Sequence, residues 1–285
     1  MKLAAAFLLS WFLVGAWAKL MRGLGLGKRV REDGPQSHLK KSGTPSMAGV
    51  PMALAAAAVG FAGDANLLLL GGLFLLIGLL DDLLPHLAGR SLLAREKLAL
   101  QLAFAFLFAY LVRDELGYFA APWLDLLFAT FLVAGFANAM NFTDGVDGLA
   151  ASVGALLLLP FLKDPLAAAA IGALLGFLWH NAPPARVFMG DAGSEALGAL
   201  VAGFWLLEGG GLWLFLAGAL PLIELVSVVV QVAYFRYTGG ERLLLMSPLH
   251  HHLELIGWSE AKIVFRFAAL TAVLVAAASA LWGRL

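Results

Sequence analysis

Carboxylate and amide side chains stand next to apolar stretches of this sequence, where they could bind a metal ion and a diphosphate. Asp81 and Asp82 directly follow the run LFLLIGLL, and the segment NAMNFTDGVDGLA carries Asn141, Asp144 and Asp147 without any Lys or Arg. Adjacent carboxylates repel each other unless a cation intervenes, and carboxylate and amide oxygens are the ligands that Mg²⁺ prefers. The Asp pair therefore indicates a metal site, a general base or a plain helix end. The second segment lacks EF-hand spacing and predicts a Mg²⁺ site, with a purely structural turn as the alternative.

The segment HNAPPARVFMGDAGSEALG holds a further group of polar residues. Asp191 either caps the helix that follows or supplies a metal carboxylate beside backbone N–H groups that bind a diphosphate. Phe188 is either a core residue or a platform on which a base stacks. Asn181, Gly190 and Ser194 are the other candidates for substrate binding in this segment.

Cationic candidates lie in three other connections. Lys41 and Ser46 stand where a phosphate could meet the start of a helix, although a basic connector is the plain alternative. Lys97, in AREKLALQ, is a membrane anchor, a counter-charge for the Asp pair or a phosphate ligand. The consecutive His250, His251 and His252 could bind metal, contact phosphate or transfer protons, but they lack the HExxH pattern of a zinc enzyme.

The composition places these groups in a membrane protein. The 285 residues are 61% hydrophobic and only 13% charged, against about 25% charged residues in soluble domains, and the mean hydropathy is +0.88. Formal net charge is zero and there is no cysteine, which excludes disulfides and zinc–thiolate sites.

Ten apolar stretches are candidates for transmembrane helices. We predict a single all-α integral membrane domain over residues 1–285, with spans at 3–21, 46–63, 65–84, 98–112, 122–140, 145–162, 165–180, 190–207, 211–235 and 263–282.

The distribution of basic residues predicts the orientation of these spans. The odd-numbered loops and their helix ends hold 15 of the 19 Lys and Arg residues, and the other side holds only Lys2, Arg113, Lys163 and Arg284. By the positive-inside rule the odd loops are cytoplasmic and both termini are periplasmic. A signal-peptide interpretation of residues 1–21 is disfavoured, because cleavage would deliver the basic 22–45 segment to the outside.

The motifs closely resemble the polyprenyl-phosphate N-acetylhexosamine-1-phosphate transferase superfamily, and within it the MraY-type phospho-N-acetylmuramoyl-pentapeptide transferases. The resemblance covers nearly the whole chain. It rests on REDGPQSHLKKSGTPSMAG, GLLDD, AREKLALQ, NAMNFTDGVDGLA, HNAPPARVFMGDAGSEALG and SPLHHHLELIGWSE. The triple His separates this branch from relatives that use UDP-GlcNAc.

The resemblance implies a ten-helix fold whose active site is a cleft on the cytoplasmic face of the bacterial inner membrane. It implies UDP-MurNAc-pentapeptide and undecaprenyl phosphate as substrates, lipid I and UMP as products, Mg²⁺ as cofactor and a homodimer as the assembly. It assigns Asp191 and Asn141 to the metal and Asp81, Asp82, Lys97 and the three His residues to catalysis. Substrate contacts are implied for Lys41, Asp144, Gly145, Val146, Asp147, Asn181, Phe188, Gln231 and Ser247.

Two other functions are compatible with the sequence. A sister enzyme would transfer GlcNAc-1-phosphate from UDP-GlcNAc, and a transporter would also carry ionisable residues in its spans. The reaction could proceed by direct attack of the lipid phosphate, with Asp81 as the candidate base, or through an aspartyl-phosphate. Gly172 and Gly176 form a GxxxG motif, which is a weak indication of helix association.

Overall fold

The computed structural model describes residues 1–25, 27, 41 and 43–283, and these residues form an all-helical bundle. A helix coincides with each of the ten predicted stretches. The α-helices are α1 (Lys2–Gly23), α2 (Gly49–Gly60), α3 (Ala65–Leu87), α4 (Ala94–Leu111), α5 (Pro122–Thr143), α6 (Leu149–Leu158), α7 (Pro165–Asn181), α8 (Gly190–Leu207), α9 (Leu214–Ala217), α10 (Ala219–Tyr237), α11 (Leu249–Leu255) and α12 (Glu260–Trp282).

Local sequence signals fix where several helices begin. Asp64 precedes α3 and its side chain accepts hydrogen bonds from the backbone N–H groups of Asn66 and Leu67. Asp164 caps α7 in the same way, and Ser259 caps α12. Such caps satisfy backbone donors that have no partner in the first turn of a helix. Proline is the first residue of both α5 and α7, where its missing N–H costs nothing.

The surface of the bundle is apolar enough for a bilayer. Within the described residues, five helices are long and apolar enough to cross a membrane, namely α1, α3, α5, α10 and α12, and α2, α6 and α7 are shorter apolar helices. Large apolar side chains point outwards, with Phe12, Phe131 and Phe265 63%, 62% and 76% exposed. A helical bundle that satisfies its backbone hydrogen bonds internally and exposes apolar side chains is suited to lipid.

Helix α8 lies at the centre of the bundle. Fifteen of its 18 residues are buried, and it packs against α2, α3 and α5. The polar residues at its start are therefore surrounded by other helices.

The predicted GxxxG motif packs within this chain. Gly172 and Gly176 of α7 lie against the backbone of α1 near Leu3 and Phe7, so closely that neither position has room for a side chain. Ser10 also donates a hydrogen bond to the Ala173 carbonyl at 2.7 Å. The motif is used to pair α1 with α7 and gives no support to a dimer.

Three details differ from the sequence prediction. The 211–235 stretch is interrupted at Gly218, which separates α9 from α10. Residues 138–143 are the last turns of α5, so the loop is confined to 144–148. The three His residues lie in the two-turn helix α11 and not in a loop. Of the basic residues used to predict orientation, Lys28, Arg29, Arg31, Lys40 and Arg284 lie outside the described residues.

Candidate active site

Lys97 is the centre of a charged cluster between three helices. Its Nζ lies 3.0 Å from Asp81 Oδ2, 2.6 Å from Asp191 Oδ2 and 2.6 Å from Glu195 Oε1. Asp81 comes from the end of α3, Lys97 from the start of α4, and Asp191 and Glu195 from the first turns of α8. One ammonium thus faces three carboxylates, and this Lys97 cluster carries a formal charge of −2.

Glu195 extends the cluster into the interior. Its side chain is fully buried, and Oε2 accepts a hydrogen bond from Gln101 Nε2 at 3.0 Å. Gln101 Oε1 in turn accepts from Asn138 Nδ2 of α5 at 2.7 Å. This chain of contacts ties α4, α5 and α8 together behind Lys97, and a buried charge of this kind is retained only where it is paired.

The other polar residues predicted beside Asp191 lie at the same place. Asp82 accepts a hydrogen bond from the Ala192 N–H at 3.1 Å, so the two adjacent aspartates make different contacts. Asn141 Nδ2 donates to Ser194 Oγ at 3.0 Å, and Ser194 donates to the Gly190 carbonyl at 3.2 Å. Asp191 lies in the first turn of α8 without capping it, since Met189 is the N-cap residue.

The chemistry of these groups suits a hard divalent cation that is shared with a substrate. No group of three or more His, Cys, Asp or Glu residues with the arrangement of a metal site occurs in the part of the chain that the structure describes. Mg²⁺ is usually held by one or two carboxylates together with substrate phosphates and water, and does not need a cage of protein ligands. Asp191 is about a third exposed, and the Asn141 side chain forms a hydrogen bond with it, so one accessible carboxylate beside a side-chain amide fits this pattern.

A second charged group surrounds Lys41. Its Nζ lies 2.7 Å from Asp147 Oδ1 and 2.7 Å from Glu260 Oε2, at the start of α12. Burial would lower the pKa of Lys41, but the hydrogen bonds and charges of Asp147 and Glu260 outweigh it and hold that pKa above its ordinary value. Lys41 is therefore a permanent cation in the connection before α2.

The loop 144–148 is fixed by its neighbours. Asp147 Oδ2 accepts a hydrogen bond from the Ala185 N–H, and Gly148 N–H donates to Asn181 Oδ1, both at 2.8 Å. Asn181 also donates to the Val187 carbonyl at 2.8 Å. The predicted residues Asp147 and Asn181 thus hold the connection before α8 against the end of α5.

Phe188 belongs to that same connection. Its N–H donates to the Pro45 carbonyl at 2.8 Å, and its carbonyl accepts from the Ala48 N–H at 3.1 Å. These bonds bring the segment of Ser46, the segment of Phe188 and the loop 144–148 to one end of the bundle. Within the loop 144–148, Val146 is buried, and Asp144 is the C-cap residue of α5.

His250 forms a buried pair with Glu224. Its Nδ1 lies 3.1 Å from Glu224 Oε2, and both side chains are fully buried. Among the described residues its Nε2 has no hydrogen-bond partner, and it points at Gly145, where an added Cβ would overlap this nitrogen. Glu224 therefore orients the ring, and glycine at position 145 allows the ring to approach the loop 144–148.

The remaining predicted residues shape the connection between α10 and α11. His251 Nδ1 lies 2.7 Å from Glu254 Oε2, and His252 Nδ1 accepts from the Leu245 N–H at 3.3 Å. Gln231 bonds the backbone of Leu243 and Leu244. Ser247 precedes Pro248 at the start of α11. These contacts hold the segment that presents His250.

Four acidic residues that take part in these contacts were not predicted: Glu195, Glu224, Glu254 and Glu260. Glu195 and Glu224 each interrupt an apolar helix, and an ionisable residue within an apolar span is a functional signal in its own right. Glu260 stands in the SPLHHHLELIGWSE motif, but its contact with Lys41 spans 219 positions and has no local sequence signal.

The chain is similar to known proteins over most of its length. Residues 65–208 match the family described as "Glycosyl transferase family 4". The chain is 42% identical to the phospho-N-acetylmuramoyl-pentapeptide-transferase of Deinococcus radiodurans, over 96% of each chain. It is 44% identical to that of Carboxydothermus hydrogenoformans, over 88% of this chain and 89% of the relative. It is 37% identical to that of Mycobacterium marinum, over 95% and 92%.

The matched family region runs from α3 to the end of α8 and includes the whole Lys97 cluster, and the full-length relatives extend the match over the Lys41 and His250 groups. The chain belongs to the phospho-N-acetylmuramoyl-pentapeptide-transferase family of multi-pass membrane enzymes.

Proposed function

We propose that this chain transfers phospho-MurNAc-pentapeptide from UDP-MurNAc-pentapeptide to undecaprenyl phosphate, forming lipid I and UMP in peptidoglycan synthesis. The names of relatives that match nearly the whole chain support this reaction. The observation that carries the proposal is the convergence of Asp81, Asp191 and Glu195 on Lys97 beside Asn141.

The Lys97 cluster is suited to a diphosphate. Phosphoryl transfer depends mainly on positioning and on the neutralisation of charge at the phosphate oxygens. Asp191 and Asn141 would hold Mg²⁺, which when bound neutralises the diphosphate of the donor. Lys97 supplies a second positive charge, and Glu195 and Gln101 hold its chain in place from the buried side.

The nucleotide end of the donor would lie at the Lys41 group. Lys41 remains protonated and can bind an anionic oxygen, while Asp147 and Asn181 keep the loop 144–148 in position. Phe188, in the adjoining connection, is the proposed stacking partner of the uracil base. Backbone groups of Gly145 and Val146 would complete the pocket.

The lipid phosphate would attack the phosphorus that bears the sugar. A new P–O bond forms from the lipid phosphate oxygen, and the bond to the UMP phosphate oxygen breaks as UMP leaves. Asp81 is oriented for this step, because its Oδ1 accepts the Leu92 N–H at 3.0 Å while its Oδ2 faces Lys97. We propose direct attack, with Asp81 positioning or deprotonating the lipid phosphate.

Ten membrane spans with both termini outside and a cytoplasmic active site complete the proposal. The 15-to-4 division of basic residues favours this orientation, which would give the candidate site access to a cytoplasmic UDP-sugar. A homodimer is proposed from the family resemblance alone.

Release of UMP by the purified chain in detergent tests the reaction. We expect release that requires UDP-MurNAc-pentapeptide, undecaprenyl phosphate and Mg²⁺ together, and that is abolished by Asp191→Asn. Asp114→Asn is the matched control, because Asp114 is 84% exposed and should leave the rate unchanged. Release that persists in Asp191→Asn, or that needs no lipid phosphate, would contradict the assignment.

A further inference from the structure

A basic cleft that the proposed reaction does not use lies between the ends of α1 and α7. Its volume is about 520 Å³. The wall from α1 changes from apolar to basic along the helix, and the opposite wall comes from the end of α7 and the connection to α8. The residues that matter here are Trp11, Phe12, Lys19, Arg22, His180 and Arg186.

The walls of the cleft are held rigidly together. His180 Nε2 lies 2.9 Å from the Trp11 carbonyl, and Ser10, the residue before Trp11, donates a hydrogen bond to the Ala173 carbonyl of α7. The Arg186 N–H donates to the His180 carbonyl at 2.8 Å, which places Arg186 beside the end of α7. The cleft is therefore formed before any ligand arrives.

No carboxylate of the described residues compensates the charges at the mouth of the cleft. None of the ion pairs among the described residues involves Lys19, Arg22 or Arg186. Single basic residues at a helix end are ordinary membrane anchors. Here, however, three cations from two separate segments line one cleft, which is the arrangement that binds a phosphate-bearing headgroup.

The apolar part of the cleft indicates that the anion carries hydrocarbon chains. Trp11 and Phe12 are 42% and 63% exposed, and Trp11 lies 11 residues before Arg22 on α1, which is about 16 Å along a helix. A lipid with its phosphate at the cations would place its chains along these aromatic side chains. The mouth lies at the end of the bundle where α1 leads towards Lys41 and where Arg186 precedes Phe188.

We propose that this cleft binds an anionic glycerophospholipid of the leaflet on the active-site side of the membrane. Its phosphate contacts Lys19, Arg22 and Arg186, and its acyl chains follow Trp11 and Phe12. A zwitterionic phospholipid fits less well, because no carboxylate from the described part of the chain lines the cleft to pair with its cationic headgroup. The proposal does not depend on the transferase reaction.

Native mass spectrometry of the purified full chain tests the site, with phosphatidylglycerol and phosphatidylcholine added in equal amounts. Wild type should retain phosphatidylglycerol preferentially. Lys19→Gln with Arg22→Gln should lower that preference at least tenfold, because each basic residue near an anionic headgroup contributes about fivefold. Arg113→Gln with Lys163→Gln is the matched control, since it removes the same two charges from exposed positions away from the cleft.

Three results would contradict the proposed lipid site. The first is an unchanged lipid preference in Lys19→Gln with Arg22→Gln, and the second is an equal loss of this preference in the control pair. The third is full displacement of the lipid by millimolar inorganic phosphate. The last result would identify a site for a free anion. UMP release by the Lys19→Gln and Arg22→Gln protein in detergent verifies that it is folded, because neither residue belongs to the candidate active site.

Discussion

Replacement of Glu195 by glutamine tests the role of a carboxylate that no solvent reaches. Glu195 Oε1 lies 2.6 Å from Lys97 Nζ, and Oε2 accepts from Gln101. Glutamine keeps the size of the side chain and a hydrogen-bonding oxygen but removes the charge. Lys97 would then rely on Asp81 and Asp191 alone, so a divalent cation would have to displace it from Asp191.

The expected magnitude follows from the number of carboxylates around Lys97. Removal of one partner of a buried ion pair costs about 3–5 kcal/mol when the other charge is left alone. Lys97 keeps two of its three carboxylates, so we assign about a third of that cost, roughly 1–1.7 kcal/mol. Since about 1.4 kcal/mol is a factor of ten, the concentration of Mg²⁺ for half-maximal activity should rise about 5- to 20-fold.

The assay measures initial rates of UMP release against Mg²⁺ concentration, together with the Mg²⁺-dependent shift of the thermal unfolding midpoint. Glu195→Gln should need more Mg²⁺ in both measurements, and its midpoint without metal should fall by only about 2–7 °C, the shift that roughly 1–1.7 kcal/mol produces. Glu115→Gln, at an exposed carboxylate, is the control. Equal Mg²⁺ dependence of Glu195→Gln and wild type would refute the idea that Glu195 draws Lys97 away from Asp191.

Three further predictions concern the other contacts. Gly145→Ala should displace the His250 ring and lower kcat/KM by up to about 100-fold. Gly135→Ala, whose Cβ meets open space, should retain the wild-type rate. Equal rates of the two variants would show that the close contact of His250 with the loop 144–148 is not needed. Lys41→Met should raise the KM for the UDP-sugar by about tenfold or more. Because the pKa of Lys41 lies above its ordinary value, Lys41 stays charged and the wild-type KM should stay constant between about pH 7 and 9. A rise in KM with pH over this range would contradict that. Gly176→Leu should separate α1 from α7 and lower the thermal midpoint by about 4 °C or more, whereas Gly71→Leu, in open space on α3, should not; equal midpoints would show that the close helix contact is not needed.

Much of the fold could be predicted because apolar runs and helix caps are local signals. Pro122, Asp64 and Asp164 mark helix starts within a few residues of the predicted spans. The break at Gly218 was not foreseen, because glycine is common in membrane helices and does not by itself end one. The use of Gly172 and Gly176 within the chain depends on which helix packs against them.

The sequence predicts which residues belong to the site better than it predicts how they contact each other. Asp81, Lys97 and Asp191 were all expected in one site. The contact of a single ammonium with the carboxylates of Asp81, Asp191 and Glu195 depends on the angles at which α3, α4 and α8 meet. Glu195 was missed although it interrupts an apolar helix. The pairing of Lys41 with Glu260 joins residues from opposite ends of the sequence, and only the packed bundle brings them together.

The most direct test of the central claim is a donor competition with mass detection of the lipid product. The purified chain would receive undecaprenyl phosphate, Mg²⁺ and equal amounts of UDP-MurNAc-pentapeptide and UDP-GlcNAc. We expect undecaprenyl diphosphate carrying MurNAc-pentapeptide to accumulate together with an equal amount of UMP. Accumulation of the GlcNAc product instead would contradict the proposed donor, and a lack of any lipid-linked product would contradict the transferase reaction itself.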